Sequence, residues 1–324
     1  RFWSGKNVLI TGFEGFVGSN LTKALLTTKA KVVGLDIKTY RKETVLCQAD
    51  YKRIKVIKGN VANYKLLQEI LSRYSINVIF HLAAEAIVGR SQKNPRKTFK
   101  TNITGTWEIL ESARKNGNIK AIVVASSDKA YGSHKKLPYL ENMPLIANHP
   151  YDVSKSCADL IANTYAKTYE LPLTISRCGN IYGPGDFNFS RLIPDAIRCY
   201  LANKTLKIRS DGKFVRDYVY IDDIVSGYLL LAEKLPNLKI NGEAFNFSNE
   251  NPLTVLEVIE QISKISDNKL RCKILNCAKH EIKEQYLKSQ KSKKLLKWNP
   301  KHTFAQGIKE TIKWFKSISK VNKK

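Results

Sequence analysis

Short apolar runs of five or six residues recur through the first half of the chain, at 6–11, 31–36, 54–58, 77–82, 119–124 and 173–177, and segments with helical spacing separate them. The runs are rich in valine, isoleucine and leucine rather than strictly alternating, which predicts strands buried on both faces. Strands alternating with helices imply right-handed crossovers and a parallel sheet covered on both sides. The fold class expected is therefore α/β, a Rossmann-type doubly wound parallel sheet. After residue 177 the alternation lapses. Helices are expected at 190–203, 222–235, 253–265 and 303–318, with strands at 214–220 and 244–247. This pattern predicts a larger sheet domain over 1–178, with 214–248 returning to it, and a smaller C-terminal domain built from 179–213 and 249–324.

Composition narrows the classes. Of 324 residues, 43% are apolar, enough for a sizeable core, yet no run approaches the roughly 20 residues of a spanning helix. Arg1 to Lys6 lead straight into a strand with neither an apolar signal core nor a cleavage site, so no membrane partner and a cytoplasmic setting are expected. Six scattered cysteines, without a C-x-x-C pair, predict free thiols and no metal. Fifty-five basic against 28 acidic residues leave a net charge of +27. A basic chain can bind phosphates through counterion release, but the lysines here are spread along the whole length without a nucleic-acid-binding motif. No nucleic-acid partner is expected.

The chemistry lies at strand ends. The first strand runs into Gly12-Phe13-Glu14-Gly15-Phe16-Val17-Gly18 and then a helix. Glycines at this place let backbone approach a pyrophosphate, and the helix N-terminus offers unpaired N–H groups. The second strand ends in Asp36, whose carboxylate can accept bonds from the adenosine ribose hydroxyls. A 2′-phosphate there would meet a like charge, at a cost of about 1–4 kcal/mol for about 4 Å. NAD is therefore the cofactor expected, with Lys38 and Arg41 just beyond as charges that soften the discrimination. The fifth run ends in Ser126-Ser127-Asp128-Lys129, and Tyr151 and Lys155 follow at a spacing that puts both on one helix face. A tyrosine is a poor base near its ordinary pKa of about 10, and a neighbouring ammonium favours the phenolate.

Thr11-Gly12-x-x-Gly15-x-x-Gly18, Asp36, His81-Leu82-Ala83-Ala84, Asn102-x-x-Gly105-Thr106, Ser126-Ser127, Tyr151-x-x-x-Lys155 and Arg216-Asp217-Tyr218-Val219, in this order, resemble the extended short-chain dehydrogenase/reductases that act on nucleotide sugars. The resemblance covers essentially the whole chain. Ser127-Asp128-Lys129 resembles the strand end of the 4,6-dehydratases, and further segments, Glu284-x-Tyr286-Leu287 among them, are similar to CDP-glucose 4,6-dehydratases. It implies a nucleotide-diphosphate hexose substrate, CDP-glucose or a GDP- or UDP-linked N-acetylglucosamine, carried through C4 oxidation, C5/C6 water elimination and hydride return to C6. Ser127 would bind near O4, Asp128 would be the acid for the leaving hydroxyl, Lys129 would hold the position of the C5 base, and Tyr151 and Lys155 would be the redox pair.

The implied cofactor set is Gly12, Gly15, Phe16, Val17, Gly18, Asp36, Asn60, Val61, Leu82, Ala83, Ala84, Asn102, Ser126, Tyr151 and Lys155. For the substrate, Arg191, Arg209 and Arg216 are diphosphate candidates through their guanidinium forks, with Glu85, Ser91, Asn180 and Tyr286 near the sugar or nucleotide. The helices over 95–114 and 151–169 resemble the pair that forms a four-helix homodimer interface. Two other readings stay open. A nucleotide-sugar 4-epimerase needs only the redox pair, and a basic NAD-sensing RNA-binding protein could use the same fold.

Overall fold

The computed structural model describes residues 2–266, 270–278 and 281–321, so the end of the basic tail, 322–324, lies outside the described residues. Seven strands form one parallel sheet: β1 (Asn7–Thr11), β2 (Lys31–Asp36), β3 (Ile54–Lys58), β4 (Val78–His81), β5 (Ala121–Ala125), β6 (Leu173–Cys178) and, after β7 (Asn180–Tyr182), β8 (Leu206–Ile208) and β9 (Val215–Tyr220), β10 (Ala244–Phe247). Their order is β10-β6-β5-β4-β1-β2-β3. The chain reverses its direction of growth between β1 and β4, which opens a crevice at their carboxyl ends. A small sheet is made by β7, β9, β11 (Pro252–Thr254) and β13 (Glu284–Gln285), while β12 (Cys272–Ile274) pairs with β8.

The apolar runs form central strands because alternate residues feed two different cores. Val8, Ile10, Val78, Phe80, Ala121 and Val123 belong to one, Leu9, Ile79, Ile122 and Val124 to the other. The first core is closed by α1 (Phe16–Leu26) and, after α2 (Gln48–Tyr51), α3 (Tyr64–Arg73), α4 (Val88–Lys93), α5 (Pro95–Phe99), α6 (Gly105–Asn116), α7 (Pro150–Tyr169) and α8 (Leu192–Leu201), by α9 (Ile221–Lys234). The second is closed by α3, α6 and α7, through Leu67 and Ile70, Ile109 and Leu110, and Ala162 and Ala166. Local signals end these helices where the sequence provides them. The Asn63 side chain accepts the Leu66 N–H at the start of α3, and Gly117 turns left-handed (φ 72°) at the end of α6. The C-terminal α10 (Val255–Ile265) starts with a reciprocal Thr254–Glu257 capping box, and α11 (Phe304–Val321) packs its Phe304, Ile308 and Phe315 into the first core.

One expectation needs correction. Of the segment 214–248 expected to return to the large sheet, α9 packs on it and β10 joins it at the edge, but β9 lies in the small sheet beside β7, β11 and β13. Its apolar alternation marks a strand without saying which sheet it joins.

A buried chain of hydrogen bonds ties the switch point together. Thr11 Oγ1 accepts the Leu82 and Ala83 N–H groups, both at 3.2 Å, so its own hydrogen goes to His81 Nδ1 at 2.9 Å. His81 Nε2–H then donates to Thr106 Oγ1 at 3.0 Å, and Thr106 donates to the Asn102 carbonyl at 2.7 Å. These contacts leave one consistent tautomer, the neutral Nε2–H imidazole. Burial, with the Lys155 charge adding to it, pushes the His81 pKa down to about 3. The unfolded chain takes up a proton near pH 6.5 that the folded chain refuses, so this stability is whole above pH 6.5 and is lost as pH falls from there toward 3. The slope is about 1.4 kcal/mol per pH unit. Denaturant unfolding of the wild type and of His81→Asn between pH 7 and 5 is expected to show the acid loss shrinking by that slope in the variant. Parallel pH profiles for the two proteins would exclude a neutral His81.

Candidate active site

The glycine turn after β1 is shaped for a ligand. Gly12 has φ 73°, and a Cβ there would stand 2.9 Å from the Ala83 backbone, while a Cβ on Gly18 would stand 2.1 Å from the Gly12 carbonyl oxygen. Only glycine leaves the backbone of 12–18 this close to the end of β4. α1 starts at Phe16 without a side-chain cap and without an acid in its first turn, so its N-terminal N–H groups and positive dipole end remain available for a pyrophosphate. The residues fit a dinucleotide on these two observations. Val17, with Phe16, forms the first turn of this helix.

The adenosine end is more constrained than the sequence indicated. Asp36 is buried, its Oδ1 receiving the Arg41 guanidinium at 2.5 Å and its Oδ2 the Glu14 N–H at 3.4 Å. Glu14 is itself fully buried, and its carboxylate accepts the Tyr40 N–H at 2.6 Å and the Arg41 N–H at 2.7 Å. A closed ring, Glu14 to Arg41 to Asp36 and back to Glu14, thus holds the loop after β2 against the glycine turn. Glu14 was given no role from sequence, although a carboxylate inside a glycine turn was its visible signal.

Asn60 and Val61 follow β3, where Asn60 Oδ1 accepts the Ala62 N–H and Val61 is buried against Gly105. Leu82, Ala83 and Ala84 line the end of β4, the first two held by Thr11. Asn102, in a π-helical turn at Lys100–Thr104, turns its side chain to the protein: Oδ1 accepts the Glu85 N–H at 2.7 Å, and Nδ2 donates to the Glu85 carbonyl and to Ser154 Oγ. Ser154 in turn donates to the Tyr151 carbonyl. Asn102 therefore connects the segment after β4 to the first turn of α7.

At the end of β5 the chain turns into a short 3₁₀ segment, Asp128–Tyr131, capped by Ser127. Ser127 Oγ donates to Asp128 Oδ1 at 3.0 Å and acts on the Tyr151 phenol. Asp128 is 3% exposed, and its Oδ2 has no partner. Burial raises its pKa, against the Lys129 and Arg216 charges and the Ser127 bond. Lys129 Nζ donates to Gln285 Oε1 at 3.1 Å. Lys155 is buried with its Nζ on the Ala125 carbonyl at 2.8 Å, and burial pushes its pKa down to about 8. Burial pushes the Tyr151 phenol up to about 12, opposed first by the Arg191 charge and then by Ser127. Arg191 is the largest charge opposing burial at Tyr151. Lys155 sits one turn along α7 with its ammonium bound to the strand end. Ser126 Oγ is buried and has no partner.

The remaining expected contacts divide. Arg191 bonds Asp186 at 3.1 Å and stands 6.0 Å over the Phe16 ring. Arg216 spends its guanidinium on the carbonyls of Val215, Ile282 and Lys283, leaving Nε and one Nη2 hydrogen, while its charge reaches Asp128 and Asp152. Arg209 is exposed beyond β8 and donates to the Ser190 carbonyl at 3.4 Å. The Glu85 carboxylate pairs with Lys97, Ser91 Oγ is buried without a partner, and Asn180 presents an unpartnered Nδ2 from β7. The Tyr286 carbonyl accepts the Tyr139 N–H. Two acids gained no role from sequence. Asp152 and Asp217 are buried, each with one unpartnered oxygen, and burial with the Asp128 charge pushes Asp217 up to about 7. Behind them, the buried pair Arg177–Asp159 braces the Tyr131 hydroxyl, and Asn246 holds the Tyr139 and Lys288 carbonyls. This network ties α7, β6, β10 and the 3₁₀ segment together.

The model of the GDP-mannose 4,6 dehydratase family matches residues 9–311. CDP-glucose 4,6-dehydratase of Salmonella typhimurium is 30% identical over 98% of this chain and 92% of its own length, and UDP-glucuronate 4-epimerase of Thermodesulfobacterium geofontis is 31% identical over 95% of each. The crystal structure of dTDP-glucose 4,6-dehydratase from Bacillus anthracis in complex with NAD has a TM-score of 0.86 and 32% identity, covering 98% of both chains. With a matched model spanning nearly its whole length and a Rossmann sheet that carries this strand-end cluster, the chain belongs to the GDP-mannose 4,6 dehydratase family, among the extended short-chain dehydrogenase/reductases that act on nucleotide sugars.

Proposed function

We propose that this chain is an NAD-dependent nucleotide-sugar 4,6-dehydratase acting on CDP-glucose or on a GDP- or UDP-linked N-acetylglucosamine. The observation that carries the reading is Asp128, a carboxyl buried beside the redox residues and shifted toward its protonated form. Redox chemistry at C4 has no use for such an acid; elimination has. The dTDP-glucose dehydratase of B. anthracis holds NAD, and the glycine cradle and Asp36 fit the same cofactor here. Bound NAD supplies the reversible hydride acceptance that C4 oxidation and C6 reduction need.

The chain's own groups handle the protons. Burial pushes the Tyr151 phenol up to about 12, so the phenolate is disfavoured near neutral pH. The phenol proton therefore leaves to solvent first, and the Tyr151 phenolate Oη then takes the C4 hydroxyl proton as C4 is oxidised, with Ser127 beside it. The ketone acidifies the C5 proton; Lys129, an ammonium while it donates to Gln285, first gives a proton to solvent and then receives the C5 proton as the neutral amine. Asp128 Oδ2, free of protein partners, delivers a proton to the departing C6 hydroxyl, so one water leaves and no net oxidation results. A low-dielectric setting strengthens each of these contacts.

The 4-epimerase reading is supported by a specific likeness. UDP-glucose 4-epimerase from Thermotoga maritima has a TM-score of 0.89 at 27% identity over 97% of this chain. That reading uses Tyr151, Lys155 and Ser127 and leaves Asp128 idle. Incubation with CDP-glucose and with GDP- and UDP-linked glucose and N-acetylglucosamine, followed by mass analysis, is expected to show loss of one water. An isomer of unchanged mass would overturn dehydration. Asp128→Asn is expected to keep C4 oxidation and to slow water loss about 10²–10⁴-fold; dehydration at the wild-type rate would remove Asp128 as the acid.

A homodimer through α5, α6 and α7 belongs to the same reading. Trp107 and Leu160 remain 50% and 60% exposed on these helices, and Phe99 adds to the uncovered surface. Sedimentation is expected to give a dimer at micromolar concentration, converted to monomer by Leu160→Glu with Trp107→Glu. A monomeric wild type would refute it.

A further inference from the structure

Gln285 is the second residue of the two-residue strand β13, paired in register with Arg216 of β9, and it is fully buried. Its Oε1 receives the Lys129 ammonium at 3.1 Å. An ammonium has three donors and no acceptor, so the oxygen of the amide must face Lys129. The orientation of the amide is thereby determined. Nε2 faces away from Lys129 with two N–H donors and no acceptor from the protein.

A buried donor without an acceptor destabilises a folded chain, and such groups point to a partner that arrives from outside. The surroundings say what kind. Other buried atoms without a partner are Asp128 Oδ2 in the 3₁₀ segment, Asp152 Oδ1 in α7, and Asp217 Oδ1 and Asn180 Nδ2 in the small sheet, and the Asp128 charge acts on both Asp152 and Asp217. Arg216, the neighbour across the ladder, is occupied by three backbone carbonyls. The contact that ties Gln285 to the site is made to Lys129, beside the acid, and not to a phosphate-binding element. We propose that Gln285 reads the hexose itself: one amide hydrogen donates to a hydroxyl oxygen of the sugar, while the amide oxygen holds Lys129 in reach of the same ring. This rests on the nucleotide-sugar reading of the site, but not on whether the product is a dehydrated sugar or an epimer.

Gln285→Glu separates the two halves of the role. The carboxylate still offers Lys129 an acceptor, now as an ion pair, but no longer offers a donor at neutral pH. Calorimetry would use the nucleotide sugar of the panel that the wild type binds most tightly, together with its own nucleoside diphosphate lacking the sugar. The expected result is about a tenfold weaker affinity for the nucleotide sugar, because a site built around a hydrogen bond rejects a ligand left unpaired. Affinity for the bare diphosphate and for NAD, and the melting temperature, should stay within about twofold or a few degrees. Equal weakening of the sugar-bearing and sugar-free ligands would overturn the proposal, since the loss would then be structural or at the phosphates. Unchanged affinity for both would overturn it too. Gln285→Met, which loses donor and acceptor alike, should match the binding loss of Gln285→Glu and in addition change the pH profile of turnover through the released Lys129. A wild type that binds the sugar nucleotide but returns an isomer would sink the dehydratase reading and leave Gln285 standing.

Discussion

A sheet buried on both faces can bring polar chemistry to solvent only at its ends. In this chain that constraint places nearly every functional group on one rim. Val8 to Ile10, Ile79 and Phe80, and Ile122 to Val124 are committed to the two cores, so the strands carry their polar side chains at their ends: at the carboxyl ends Thr11, Asp36, His81 and, one residue past β5, Ser126. The parallel register then sets these residues side by side, Thr11 opposite His81 across one ladder and His81 opposite Val124 across the next. The hydrogen-bond chain from Thr11 through His81 to Thr106 is the stitching that keeps this rim from splaying where the strand order reverses.

Burial also supplies the electrostatics. Tyr151, Lys155 and Asp128 are all displaced toward their uncharged forms, and in each case burial is the largest cause. The same desolvation has opposite chemical meanings for the three. It favours the protonated carboxyl of Asp128, lowers the cost of a neutral Lys155, and disfavours the phenolate of Tyr151. The strand end is thus a shared low-dielectric pocket in which the assignment of acid and base follows from residue type, as is general where titratable groups are crowded together.

Much of this was legible before any coordinates. The runs of β1, β2, β4, β5 and β6 are readable because both faces are apolar, that of the edge strand β3 through its alternation, and the glycine turn because its spacing has a backbone reason. Short strands are not. β7, β8, β11, β12 and β13 have two or three residues each, too few for a period, and β9 looks the same whichever sheet it joins. Gln285 was invisible for that reason: its position opposite Arg216 exists only after β13 has paired with β9. Arg41 and Asp36 were both noted as charges, but Glu14, which holds them together through backbone N–H groups, could be given its role only by a loop conformation. Asn102 shows the reverse case, a motif residue whose side chain proves to be engaged by Glu85 and Ser154.

Relatives that dehydrate and relatives that epimerise match this fold about equally well, at 30% and 31% identity for two of them. The fold is therefore not what separates the reactions. Both need a ketone at C4, and the redox residues at α7 and the dinucleotide cradle at β1 serve either outcome. What can differ is what surrounds C5 and C6, and the proposed reading puts there Asp128 and Lys129, which the Arg216 charge and the Gln285 amide reach from the small sheet. An epimerase must let the keto sugar turn over there before reduction. A dehydratase must hold the ring still while a proton leaves C5 and hydroxide leaves C6. On the proposed reading, a side chain that bonds the sugar and Lys129 at once would oppose that rotation, which is how the Lys129–Gln285 contact would favour elimination.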